Sequence, residues 1–248
     1  MSVQEAETGA VTTSIHTYVH REYENQVDVI GAIHVAQLPY YEAIQGLIDS
    51  KHDDNGAVVH YEQIIKNTPE EFQQAGRAVR ARAECVRVMM RGVYGLFGDL
   101  EEWGLVKQTS AITLRDDWQN YDATEIDLAR RLSSFALRRH TLFVRGMKWL
   151  YEDMDPEERQ KMVKEALMDR EERPFSPRIL KLLIGDLSKQ IVDYRNDIEL
   201  EAVDGQIQDD PETDMVLLWG EGHLKGLGQG LLGRGFVKVD EDKLVAMD

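Results

Sequence analysis

The chain of 248 residues has one cysteine, Cys85, so no intramolecular disulfide can form, which fits a reducing compartment. Free cysteine is commonly a small buried residue, and Cys85 lies in the helical pattern Ala83-Glu84-Cys85-Val86, so it reads as core. No apolar run is long enough to cross a bilayer. The nearest approach, Met215 to Phe236, is interrupted by Glu221, His223, Lys225 and Arg234. The first ten residues lack the apolar segment of a secretory signal. Basic residues are scarce: 29 Lys and Arg stand against 45 Asp and Glu, giving a net charge of −16 and a pI near 4.9. A surface that acidic repels phosphate backbones and offers no polybasic patch to an anionic membrane. Neither nucleic acid nor membrane is an expected partner, and the expected location is cytoplasmic.

Common catalytic signatures are also missing. There is no Gly-Lys-Ser/Thr phosphate loop, no His-Glu-x-x-His helix and no Gly-x-Ser-x-Gly elbow. Gly228-Gln229-Gly230-Leu231-Leu232-Gly233 matches the dinucleotide fingerprint literally, but too little chain follows for the βαβ unit and acidic residue which that motif needs.

What the chain has is one short pattern twice. Gly31-Ala32-Ile33-His34 and Gly220-Glu221-Gly222-His223 each follow an apolar stretch with strand character, Val27 to Ile33 and Met215 to Trp219. A third such stretch, Ala57 to Glu62, ends in a carboxylate. Sheets of this kind present their chemistry just past strand ends. Two histidines and a glutamate so placed suit a metal or acid–base site. A lone histidine there more often bonds a local backbone group; the repetition strengthens the case for His34 and His223 as ligands. Glu62 would be a third ligand, or the base that deprotonates a bound water. The mixed nitrogen and oxygen donors suit manganese, cobalt or zinc better than calcium. Strand alternation puts His60 on the face of Glu62, where it would line the pocket, support it from behind or lie at the surface. Glu221 is an additional acid beside the second motif.

Hydrophobic residues make up 42% of the chain, enough for a packed core. Residues 1–11 read as a flexible tail and 12–248 as one domain. Thr12 to His20 alternates, Glu22 to Gln26 is a polar turn, and Val27 resumes a strand, which predicts a hairpin. Pro39 to Ser50 has helical spacing, and Asp53-Asp54-Asn55-Gly56 signals a turn. Thr68-Pro69-Glu70-Glu71 is a helix start with a capping box. The segment from about 68 to 200 reads as a helical insertion. Within it, Ala111 to Leu114 is a candidate strand and one helix is expected from Thr124 or Asp122 through Trp149. Further helix starts are expected at Asp155-Pro156 and Ser176-Pro177. A last strand is expected over Phe236 to Val239. The fold class is therefore α/β (α+β): one mixed central sheet built from N- and C-terminal strands, with helices between.

These residues resemble the TraB/PrgY/GumN family, which includes the Tiki proteases. The likeness rests on the hairpin leading into Gly31 and His34, the strand ending at Glu62, and the segment Val216 to Leu227 around Gly220 and His223. Two weaker features match as well: Arg195 in Tyr194-Arg195-Asn196, and Asp122 after the aromatic loop Trp118 to Tyr121. The second motif departs from the family in having Glu221 where a small residue is common. The resemblance implies an arrangement shared with erythromycin-esterase-like and ChaN-like proteins, and divalent-metal-dependent hydrolysis of a peptide. Arg195 would stabilise a developing oxyanion or pair with Glu62. The expected partner is a peptide or small-molecule substrate, and two alternatives stay open: a protein that sequesters a peptide without cutting it, and a metal-independent, esterase-like hydrolase with a histidine base.

Overall fold

A computed structural model describes residues 10–95, 100–152, 154–155, 157–158 and 187–247. The chain divides into two compact units. Unit 1 comprises Met1–Gln63, Leu100–Asp122 and Val192–Asp248, and unit 2 comprises Ile64–Asp99 and Ala123–Ile191. Leu100–Asp122 thus belongs with the sheet, although it lies inside the stretch read as a helical insertion. The expected helix starts around Pro156 and Pro177 lie largely outside the described residues.

Unit 1 is a mixed sheet with helices. Val11–His20 (β1) and Gln26–Ala32 (β2) form the expected antiparallel hairpin. Val35–Ala36 (β3) leads into Leu38–Asn55 (α1), and Val58–Tyr61 (β4) follows. The expected turn at Asp53 to Gly56 is the last turn of α1, closed by Gly56 at φ 71°, a conformation that favours glycine. Val106–Lys107 (β5) pairs with β3 in a small second sheet. Met215–Gly220 (β6) and Phe236–Met247 (β7) complete the main sheet in the order β4-β6-β2-β1-β7. β4, β6 and β2 run parallel, while β1 runs antiparallel to both β2 and β7.

The sequence of β6, Met-Val-Leu-Leu-Trp-Gly, has no polar alternation because all six positions are buried. On one face Val27, Val29, Leu217 and Trp219 pack with Leu200, Val203, Leu224, Leu227 and Leu231. Leu200 and Val203 come from the helix Leu187–Asp209, the last three from the helix Leu224–Gly233. α1 buries Tyr40, Tyr41, Ile44 and Ile48, an i, i+4 stripe, and Tyr40 Oη meets Thr13 Oγ1 of β1 at 2.9 Å.

Unit 2 is helical among the described residues. Pro69–Gln74 (α2) starts with the expected capping box between Thr68 and Glu71, and Arg77–Gly95 (α3) follows. Gln108–Ala111 (α4), in unit 1, ends where a strand was expected. Ala111 to Leu114 is therefore not a strand: its four residues are too few for their apolar character to separate a helix end from an extended segment. The single helix expected from Thr124 to Trp149 is two, Glu125–Arg131 (α5) and Ser134–Glu152 (α6). Leu132 is extended at ψ 143°, and Ser133 Oγ accepts from Ala136 N–H at 3.1 Å to start the second helix. Leu187–Asp209 and Leu224–Gly233 are α7 and α8. Eight α-helices are thus described, none of them long and apolar enough to cross a membrane.

Candidate functional site

The parallel strands bring three distant segments to one edge of the sheet. Ala32 of β2 lies opposite Gly220 of β6, and Tyr61 of β4 lies opposite Leu218. His34, Glu62 and His223 follow the carboxyl ends of three adjacent parallel strands, the usual position for a site in such a sheet. Gly31 explains part of the first motif. A Cβ there would collide with Leu224 and Glu221, so the second motif packs directly on the glycine of the first. A fourth segment is delivered by the loop that runs along β4. Gln119 N–H donates to Val59 O at 2.8 Å and Tyr61 N–H to Gln119 O at 3.0 Å, which carries Asp122 to the same edge.

α7 supplies the rest. Arg195, Asn196 and Glu199 fall at i, i+1 and i+4, on one face, and all three are buried. Arg195 donates through Nε to Asp122 Oδ1 at 2.7 Å and through Nη2 to Asp122 Oδ2. Nη2 also lies 2.7 Å from Glu62 Oε1. The Gly220 N–H donates to Glu62 Oε2. His223 Nδ1 lies 2.6 Å from Asn196 Oδ1, an acceptor, so Nδ1 carries the proton and Nε2 keeps its lone pair. Gly226 has no side chain to collide with the Asn196 amide. Nε2 is 3.4 Å from Arg195 Nη1 and 3.6 Å from Glu62 Oε1. Trp219 backs the cluster, with its ring edge-to-face with His223 at 4.9 Å and Arg195 5.4 Å from the ring centroid.

Burial and charge act against each other here. Burial alone would push the Glu62 carboxyl up, but Arg195, His223, His34 and the Gly220 N–H hold it down at about 2. Burial pushes His223 down to about 4, assisted by Arg195 and opposed by Glu62. The Arg195 guanidinium, despite its burial, is kept charged by Asp122 and Glu62. At neutral pH the Glu62 carboxylate is therefore fixed against the Arg195 guanidinium beside a neutral imidazole.

The remaining expected residues are placed as follows. His34 is exposed, with Nδ1 3.2 Å from Gln108 Oε1. His60 is fully buried and turns to Glu199, its Nδ1 2.7 Å from Glu199 Oε1. Glu221 accepts from Ser14 N–H at 3.3 Å and lies against Gly31, on the β1 side. Asn196, Glu199 and Trp219 were not singled out by sequence for any role. A signal existed only in the helical spacing of Arg195, Asn196 and Glu199.

His223 Nε2 and Glu62 Oε1, 3.6 Å apart, are spaced to share one ion at metal–ligand distances of about 2.0–2.2 Å. The Arg195 guanidinium, however, is bonded to that oxygen and faces that nitrogen. Among the described residues no three His, Cys, Asp or Glu side chains are grouped to hold an ion. As the side chains stand, the site does not fit a resident metal.

No family model, no curated protein and no solved structure matches this chain.

Proposed function

We propose that unit 1 is a hydrolase acting on a peptide or a similar carbonyl substrate, in the arrangement of the TraB/PrgY/GumN and ChaN-like proteins, and working in the cytoplasm. One observation carries this reading: a buried imidazole with a fixed tautomer, whose bare Nε2 faces a guanidinium and a carboxylate at the carboxyl ends of three parallel strands. The chemistry follows from these positions. Nε2 accepts the proton of an attacking water while Asn196 holds Nδ1–H and keeps the ring oriented. The Arg195 N–H that now faces Nε2 turns to the substrate oxygen as negative charge develops there. Burial depresses the basicity of His223 in the resting site and Arg195 adds to it, so the same movement relieves the smaller of the two effects. Glu62, 3.6 Å away, balances the imidazolium until Nε2 passes its proton to the leaving group. Glu62, held at about 2, serves as an anchor and counter-charge rather than as the base. No step runs through a metal.

The competing reading is capture without cleavage. It is favoured by the mutual satisfaction of Glu62, Arg195 and Asp122, which leaves no strong base unpaired. Incubating purified protein with peptide and ester libraries separates the two, with mass spectrometry as readout, in chelator and in added manganese, cobalt or zinc. The expected result is cleavage that survives chelation. Cleavage only with added metal would overturn the metal-free mechanism, and binding without cleavage would favour capture.

A further inference from the structure

Below the cluster lies a second buried pair that the proposed chemistry does not use. His60 and Glu199 are both 0% exposed, and the 2.7 Å contact between Nδ1 and Oε1 joins β4 to α7. Among the described residues His60 Nε2 has no hydrogen-bond partner. Among the described residues Glu199 Oε2 has no hydrogen-bond partner either, although the Trp219 indole is near enough to help hold the carboxyl down. Burial pushes the Glu199 carboxyl up, against the pull of its bond to His60. Two such groups without further partners are costly to bury, so the pair weakly favours stability at best.

Its position gives it a purpose. His60 of β4 precedes Glu62, just past the strand's end, by two residues, and Arg195 precedes Glu199 by four on α7. Two strand residues span about 6.6 Å. Four helical residues span about 6 Å. The spacings match, so His60–Glu199 and Glu62–Arg195 form together as two rungs between an antiparallel helix and strand. The lower rung fixes the rotation and height of α7, and that helix also carries Asn196, whose oxygen sets the tautomer of His223.

We propose that His60 and Glu199 are positioning residues that hold α7 in the register at which Arg195 meets Glu62 and Asn196 meets His223. Its value for catalysis rests on the hydrolase reading; the register itself does not, and its test needs no turnover.

The test uses the full chain with ¹⁵N-labelled histidine and follows the ring nitrogens of His223. The parent should give the signature of one neutral tautomer, protonated at Nδ1. Glu199→Gln retains an acceptor for His60 and should keep that signature. The double variant His60→Leu, Glu199→Leu removes both polar partners while filling the space, a change that is often neutral for folding. It should lose the single-tautomer signature and give averaged Nδ1 and Nε2 shifts. His60→Phe keeps a ring against Tyr121, 4.8 Å away in the parent, and serves if the double variant does not fold. The same loss is expected in it. An unchanged His223 signature in a folded variant that lacks the bond would overturn the proposal. So would loss of the signature in Glu199→Gln, where the bond persists.

Discussion

Unit 1 buries ten polar or charged side chains among the described residues, from Thr13 to His223, whereas unit 2 buries two, Glu125 and Thr141. The two in unit 2 have local explanations. Glu125 accepts from Arg87 Nε at 2.7 Å, and Thr141 Oγ1 donates to Leu137 O one turn earlier in the same helix. The six at the strand ends of unit 1 (His60, Asp122, Arg195, Asn196, Glu199 and His223) come from four separate segments and meet one another. Charge divides the same way. Of the 29 basic and 45 acidic residues, 9 and 29 fall in unit 1, and 20 and 16 in unit 2. The acidity read from the whole chain therefore belongs to the sheet unit. Buried polarity costs stability unless it is paired, so its concentration among the described residues of unit 1 is what places the proposed site there.

The strongest test of that contrast is catalytic. His223→Gln should lower turnover of a cleaved peptide by about two to four orders of magnitude, the usual contribution of a general base. Arg87→Ala, which breaks an ion pair in unit 2, should leave turnover unchanged. Equal loss in both variants would show that the chemistry is not confined to the sheet. Next comes stability. Asp122→Ala leaves Arg195 with one of its two carboxylates in a buried place and should cost about 3–5 kcal/mol in urea unfolding. Arg87→Ala acts on a partly exposed pair and should cost about 1–2 kcal/mol. Similar values for the two would remove the energetic difference between the units.

The same contrast governs what sequence could tell. β1 was legible from its alternation and β6 from its unbroken apolar run, because burial on one or two faces writes those periods directly. β7 was expected over Phe236 to Val239 but runs to Met247. The charged run Asp240 to Lys243 looks like a loop, yet it is the protected edge of a sheet. His34, Glu62 and His223 were legible because strand ends are. Arg195 and Asp122 came only from the family resemblance. Asn196 and Glu199 were hidden because a polar helix face reads as solvated until the strands that cover it are known. One contact that bears on the metal expectation, the guanidinium bonded to Glu62, had no sign in the spacing of the sequence.

A pH profile sharpens the comparison further. His223 is depressed from 6.5 to about 4 in the folded chain, so the unfolded chain takes up the proton first as pH falls. Stability attached to this group is complete above about pH 6.5 and is lost on going down to about 4. The loss is about 3 kcal/mol. Glu62, depressed from 4.5 to about 2, adds a second loss below that window. Urea unfolding of His223→Gln should lack the decline between pH 6.5 and 4 that the parent has. A parallel decline in both proteins would assign it to other groups.

The smallest effect is expected on the outer face of α6. Phe135, Leu142 and Trp149 are spaced by seven, which puts them on one side of the helix, and they are 74%, 68% and 65% exposed. Side chains left in water contribute little, whatever their type. Leu142→Ala and Trp149→Ala should each change unfolding free energy by no more than about 0.5 kcal/mol. Phe135→Ala also removes a ring that Arg139 approaches at 5.5 Å, so its cost should lie at the upper end of that range. Leu217→Ala, in the fully buried core of β6, should cost about 2–5 kcal/mol by comparison. Urea unfolding of the four single variants measures the difference. A loss above about 1 kcal/mol at Leu142 or Trp149 would mean that this face is covered in the folded protein. Unit 2 would then hold a core of its own beyond the one its described helices form.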